Sequence, residues 1–349
     1  MKRLLMLLLC LMLPLCALAE TQVITITATG DALLGSNEAV RTQDYAFQRY
    51  IEQYGYAYPF EPLQELMAND DITLVNLEVS LNNYYTPNLS RLIFRGPPEY
   101  AEILTEGSVE VVNLANNHTD DYLGAGYDST VAALEAEGIK YCGDTEFGRE
   151  LCWFDFPDGV RIGFIGIFPL YYTDHVWEVE TDFQRLRDAG CDVIIASLHC
   201  GIEQQPTHSE IQERLGRICI ENGAHIIVGH HPHVPHGVIV RDGVTQLLSL
   251  GNFTFGGNTG VDEELYCIES LVAQIDLHFE DGVYTGHQVT LWPIHISGTT
   301  PHNNYQPILV TGEEAQNVMR LVQADTAFEL NPYIDGQGAV QDFVPWPAE

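Results

Sequence analysis

Ala224-His225-Ile226-Ile227-Val228-Gly229-His230-His231-Pro232-His233 joins a short apolar run to three histidines within four positions. Residues 224–228 predict a strand, and the glycine and proline that follow mark its end. Histidines clustered just past a strand are poorly explained by packing. A His-x-His pair on a loop can present two imidazoles to one or two metal ions. His231 and His233 are therefore candidate ligands, and His230 is either a third or a support to them.

The pattern of a strand followed by chemistry-bearing residues repeats along the chain. Residues 23–29 predict a strand that stops at Gly30-Asp31, and residues 72–77 one that stops at Glu78. Residues 109–114 run into Ala115-Asn116-Asn117-His118, and residues 192–198 end at His199. A further strand is expected over 160–168, and residues 246–250 run into Gly251-Asn252. Helical spacing over 63–68, 127–137 and 209–222 falls between these runs, the last two closed by Gly138 and Gly223. Strands alternating with helices define an α/β class. Open α/β sheets carry their sites at the carboxyl ends of their strands, which is where these residues lie.

The second half changes character. Residues 268–279 and 283–292 predict two strands joined by a hairpin at Glu280-Asp281-Gly282. Residues 311–324 predict a last helix with a Thr311/Glu314 capping box. The remaining segment, 327–349, carries proline and glycine and is expected to be a loose C-terminal tail. No repeat or linker divides the chain, so one domain over 21–326 is the simplest organisation.

At the other end, Lys2 and Arg3 precede an apolar run over 4–17 and the Ala17-Leu18-Ala19 cleavage pattern. Residues 1–19 read as a secretory signal peptide, which places the protein outside the cytoplasm at the cell envelope. The alternative is an uncleaved anchor, for which the run is short. Export permits disulfides. Cys142 with Cys152 is the nearest pairing, and buried free thiols are the alternative.

Of 349 residues, 49 are acidic and 15 are Lys or Arg, a formal charge of −34, with 46% hydrophobic residues. That hydrophobic content excludes wholesale disorder. The acidity argues against nucleic acid and anionic lipid as partners, since both need clustered cations. No nucleophile elbow and no phosphate-cradling glycine loop is present.

Asp31, Glu78, Asn117, His199, His231 and His233 form a mixed oxygen and nitrogen set. Such a set suits Mn, Fe or Zn better than Ca or Mg, as one or two divalent ions. Two ions a few ångströms apart activate water and stabilise developing negative charge, which is hydrolytic chemistry. His118 is the candidate general acid or oxyanion partner, with Asp121 to orient it. Asp120 or Asp121 can also cap the following helix. Glu203 and His208 are equally readable as pocket-lining or as solvated loop residues.

Gly30-Asp31, Asn76-Leu77-Glu78, Ala115-Asn116-Asn117-His118, Ser197-Leu198-His199-Cys200-Gly201, Gly229 to Val234 and Ser249-Leu250-Gly251-Asn252-Phe253 together resemble the CapA family of poly-γ-glutamate capsule synthesis proteins. The resemblance runs from about Ile24 to about Ile296. It implies a four-layer α/β/β/α sandwich similar to calcineurin-like metallophosphatases, with the six residues above as ligands. Three positions depart from the metallophosphatase pattern. Leu33 stands where the first motif has histidine, Glu78 where the second has aspartate, and Cys200 where the fourth has tryptophan. The expected roles are a metal-dependent hydrolase acting on a phosphoester or γ-glutamyl amide, a non-catalytic component of polymer export or assembly, or a general phosphoesterase. The implied partner is an anionic cell-surface polymer such as poly-γ-glutamate, with a membrane-associated synthesis complex as further company. Such a polymer cannot be steered by an acidic protein, so bound cations and local residues such as Arg91 or Arg95 are expected to hold it.

Overall fold

The computed structural model describes residues 20–84, 87, 92–169, 176–255 and 268–347. The predicted signal peptide, Arg91 and Cys267 lie outside the described residues.

The strands are β1 (Thr21–Ala32), β2 (Ser36–Asn37), β3 (Ile72–Leu77), β4 (Ser80–Leu81), β5 (Phe94–Gly96), β6 (Val111–Asn113), β7 (Lys140–Asp144), β8 (Arg149–Asp155), β9 (Arg161–Ile167), β10 (Val193–His199), β11 (Ile226–His230), β12 (Val238–Arg241), β13 (Val244–Leu247), β14 (Glu269–Glu280), β15 (Val283–His295), β16 (Ile308–Leu309), β17 (Ala339–Val340) and β18 (Val344–Pro345). The helices are α1 (Phe47–Tyr54), α2 (Gln64–Met67), α3 (Ala101–Glu106), α4 (Leu123–Glu137), α5 (Val176–Asp188), α6 (Glu210–Glu221) and α7 (Gly312–Ala324).

One ladder runs β12-β13-β11-β10-β9-β8-β7-β6-β3-β1-β14-β15-β16. It contains two parallel cores, β7-β6-β3-β1 and β9-β10-β11-β13. Antiparallel β8 joins them. The hairpin β14–β15 adds antiparallel to β1, so the late strands extend the first core.

The parallel strands β3, β10 and β11 are apolar at most positions because both faces are buried. Side-chain alternation sorts them into layers. Ile72 and Leu74 of β3, Val193 and Ile195 of β10, and Ile226 and Val228 of β11 share one cluster, between the two cores. Val75 and Leu77 face α1, α3 and α4, while Ile194, Ala196 and Ile227 face α5 and α6. Helices therefore cover both outer faces, in a mixed α/β sandwich of the metallophosphatase-like type. Each fully buried Ile or Leu contributes about 1.5–3 kcal/mol.

Several expectations are corrected. The tail is not loose: β17 and β18 pair with β15, and Leu330, Tyr333 and Ala339 are buried in the inner core. Its order comes from a long strand offering an open edge, which local composition does not reveal. The Thr311 cap is not formed; Asp335 accepts from the Gly312 N–H at 3.0 Å instead. Neither Asp120 nor Asp121 takes the N-cap position of α4, which Tyr122 occupies. Of the two readings left open for Cys142 and Cys152, the structure has the buried free thiols, side by side. The hairpin turn is where expected, with Asp281 and Gly282 both left-handed at φ 50° and 78°.

Candidate metal centre

Counting by two along the strands from Leu74, Ile195 and Val228 shows where the inner face turns polar. Asn76, His199 and His230 occupy the same side of β3, β10 and β11 as those inner apolar residues. His199 and His230 are register partners on adjacent parallel strands. The two cores are stitched together at this edge. Asp31 N–H donates to Gly251 O at 3.0 Å, Phe253 N–H to Asp31 O at 2.7 Å, and Leu33 N–H to Thr254 O at 2.9 Å. Gly30 is required here, since a Cβ on it would meet Gly251 O at 2.1 Å.

The structure brings Asp31, Glu78, Asn117, His199, His231 and His233 to one place. Glu78 with His231 and His233, and Asp31 with Glu78 and His199, each present ligand atoms within 4.8 Å of one another. Asn117 Oδ1 lies 2.6 Å from His199 Nε2. Asp31 Oδ2 lies 3.2 Å from His233 Nδ1 and accepts from the His231 N–H at 3.1 Å. The loop pays a backbone cost to aim its rings: His231 and His233 are left-handed, at φ 96° and 62°. His230 is fully buried, with Nδ1 3.4 Å from Asp31 Oδ1 and, among the described residues, no well-aligned hydrogen bond at either ring nitrogen.

The buried carboxylate of Glu78 decides what this cluster fits. Neither of its oxygens makes a hydrogen bond among the described residues. An unpartnered buried carboxylate is costly, and a bound cation is the partner that relieves it. Burial, and next the charge of Asp31, push the Glu78 carboxyl well above its ordinary range. Burial also opposes ionisation of Asp31, but the contacts of His230 and His233 and the charge of His233 hold it well below. Burial works against a charge on His233, yet Glu78 and Asp31 raise it to about 10. Burial and neighbouring imidazoles push His199 and His231 down, leaving neutral rings with a lone pair to give. Raised proton affinity at both Glu78 and His233 offsets the crowding of two carboxylates, at a place that a divalent cation fits.

His118 sits beside this cluster. Its Nδ1 donates to Asp121 Oδ2 at 2.8 Å, and its Nε2 lies 4.0 Å from Glu78 Oε1. Asp121 also accepts from the Phe94 N–H at 2.6 Å, which ties the β5 segment to the histidine. The rings of Phe94 and Phe255 wall the site against His118 and His233, at 4.5 and 4.7 Å between centroids.

Other expected residues are placed elsewhere or otherwise engaged. Glu203 is exposed on the loop after β10, its charge reaching Glu78. His208 is held between Asp325 at 2.8 Å and Glu213 at 3.2 Å. Arg95 is buried, paired with Glu38 and set over the Tyr122 ring, so it is not presented to a polymer. Leu33 packs in the outer core with Phe60 and Leu77 and offers no ligand. Asn76, Asn252 and the two phenylalanines carry no ligand signal of their own. Asn252 was legible as a strand end and as part of the Ser249 to Phe253 motif, with no role assigned, and its Oδ1 lies 2.8 Å from His233 Nδ1.

The model of the family described as bacterial capsule synthesis protein PGA_cap matches residues 25–257. The chain belongs to that family. A capsule biosynthesis protein CapA of Bacillus anthracis is 25% identical over 259 residues, covering 68% of this chain and 61% of that protein. A PGA biosynthesis protein CapA of Bacillus subtilis (strain 168) is 24% identical over 233 residues, covering 61% of each. The chain therefore spans about three fifths of the length of these relatives.

Proposed function

We propose that this protein is a CapA-like, extracytoplasmic, metal-dependent hydrolase that serves capsule-polymer biosynthesis or trimming. The carrying observation is Glu78, buried without a hydrogen bond among the described residues and shared by two groups of potential ligands. The names of the relatives support the capsule pathway, and the apolar leader with its Ala17-Leu18-Ala19 pattern supports export.

Asp31, Glu78 and His199, with Asn117 beside them, would hold one ion, and Glu78, His231 and His233 a second. The donor set favours Mn, Fe or Zn. Bound there, divalent ions lower the pKa of water and stabilise negative charge on a phosphoester or γ-glutamyl amide. The protein's part is orientation and proton transfer. Asp121 holds the Nδ1–H of His118, so the Nε2 lone pair faces the cluster, where it can take a proton from the attacking water and return it to the leaving oxygen or nitrogen. Phe94 and Phe255 keep water from the flanks. Since Arg95 is committed to Glu38, an anionic polymer would be held chiefly by the cations.

Elemental analysis of the purified protein, together with its product profile on poly-γ-glutamate and on a generic phosphodiester, tests this. Bound transition metal that is lost in Asp31→Ala and His231→Ala, with chelator-sensitive cleavage, is expected. Absence of metal from the wild type refutes the reading. Leu33 in place of a ligand favours a second reading, a polymer-binding assembly component without turnover. It would be supported by metal-dependent polymer binding with no product.

A further inference from the structure

Asn76 lies beneath the metal centre and uses every hydrogen-bonding position it has. It is fully buried at the end of β3. Its Nδ2 donates to Asp31 Oδ1 at 2.8 Å and lies 3.2 Å from His199 Nδ1. Its Oδ1 accepts from Asn113 Nδ2 at 2.9 Å and from Asn116 Nδ2 at 3.2 Å.

This amide cannot be turned over. The orientations of its two partners are set by the backbone, not by one another. Asn113 Oδ1 accepts from the Ala115 N–H at 3.0 Å. Asn116 Oδ1 accepts from the His118 and Thr119 N–H groups, each at 3.0 Å, and its Nδ2 donates to Leu77 O at 2.9 Å. A reversed Asn76 would set N–H₂ against two N–H₂ groups and its carbonyl against a carboxylate, an acceptor-only group.

We propose that Asn76 is a positioning residue of the metal centre. Asn76 holds Oδ1 of Asp31 while the His231 N–H holds Oδ2, so the remaining lone pairs are aimed by two fixed donors. Through Asn116 the same amide also grips the backbone turn that carries His118. A ligand on β1 and the turn after β6 are thereby tied to one side chain on β3. Residues that orient ligands through a second layer of hydrogen bonds typically alter metal affinity by about 10–100-fold.

The inference rests on the metal-centre reading, and titration with Mn²⁺ or Zn²⁺ by calorimetry separates the two. Asn76→Leu keeps the volume and removes the hydrogen bonds. Asn113→Ala cuts the same amide chain at its far end and leaves Asp31 held. A weakening of about 10–100-fold in Asn76→Leu, with Asn113→Ala within about threefold of wild type, is expected. The metal-induced rise in melting temperature should shrink in the first variant and persist in the second. Equal affinity in Asn76→Leu and wild type overturns the inference while leaving the metal reading intact. Absence of binding by the wild type overturns both. If Asn76→Leu does not fold, Asn76→Ala, which leaves room for water, is judged by the same criterion.

Discussion

Buried histidines occur in two settings in this molecule, and their hydrogen bonds separate them. Away from the strand-end edge they are satisfied by protein. His236 Nδ1 accepts from Gln212 Nε2 at 3.1 Å, and its Nε2 donates to Gln205 O at 2.8 Å. His287 lies between Thr245 Oγ1 at 2.6 Å and Tyr284 OH at 2.8 Å. His225 accepts from the Ile194 N–H at 3.1 Å and stacks on Trp346 at 4.2 Å between ring centroids. At the edge, by contrast, His230, His231 Nδ1 and both oxygens of Glu78 lack such bonds among the described residues. His230 and Glu78 are as buried as the satisfied histidines, while His231 is only partly buried. What differs is whether the fold itself completes the polar group, and an incomplete group is the mark of a ligand site.

The largest effect expected from this contrast is at Glu78. Glu78→Met should remove bound metal, read by elemental analysis, and yet raise the melting temperature of the metal-free protein. The apolar side chain of similar length escapes the cost of an unpaired buried polar group, about 1–3 kcal/mol. A lower metal-free melting temperature would show that Glu78 is structurally satisfied after all.

The satisfied histidines predict acid sensitivity. Burial lowers His225 to about 3 and His287 to about 4. Folded pKa values below the unfolded value near 6.5 mean that the unfolded chain takes up protons first. Their contribution is complete above about pH 6.5 and declines as pH falls toward the folded values, by up to about 1.4 kcal/mol per pH unit for each. Denaturant unfolding between pH 7 and pH 4.5 should show this slope, and a His225→Phe variant should flatten it. An unchanged slope would break the assignment.

His287→Ala should cost about 1–3 kcal/mol by leaving Thr245 and the Tyr284 hydroxyl unpaired, with metal content unchanged. A loss of metal there would erase the distinction between the two regions.

The smallest effect concerns His208. Burial lowers its pKa, but Glu213 and Asp325 outweigh that and raise it. Its contribution is therefore full below about pH 6.5 and is lost as pH rises through the folded value. His208→Gln should cost on the order of 1 kcal/mol at pH 6 and less at pH 9, as suits a partly exposed ion pair.

How much of this was legible varies with the element. The parallel strands β3, β10 and β11 were readable because strands buried on both faces are apolar throughout and stop at Gly, Asn or a charged residue. The short β7 and the mixed Arg149–Asp155 strand were not, because neither a continuous run nor clean alternation marks them. The charged helix α5 was missed for the same reason. The two-residue strands β17 and β18 exist only through pairing with β15.

At the site, the sequence determined the chemistry on offer: two carboxylates, an asparagine and histidines, each placed just past a strand. Carboxyl ends of parallel strands lie on one edge, so their convergence could be foreseen. Only the tertiary structure decided which side chains are completed by protein and which are left open. It joined Arg95 to Glu38, His208 to Asp325, and Leu33 to the outer core, and it set Asn76 under Asp31 and His199. These outcomes depend on partners 45 to 123 residues away along the chain in the case of Asn76. Local composition sets a side chain's capacity to bond, but three-dimensional packing sets what stands opposite it.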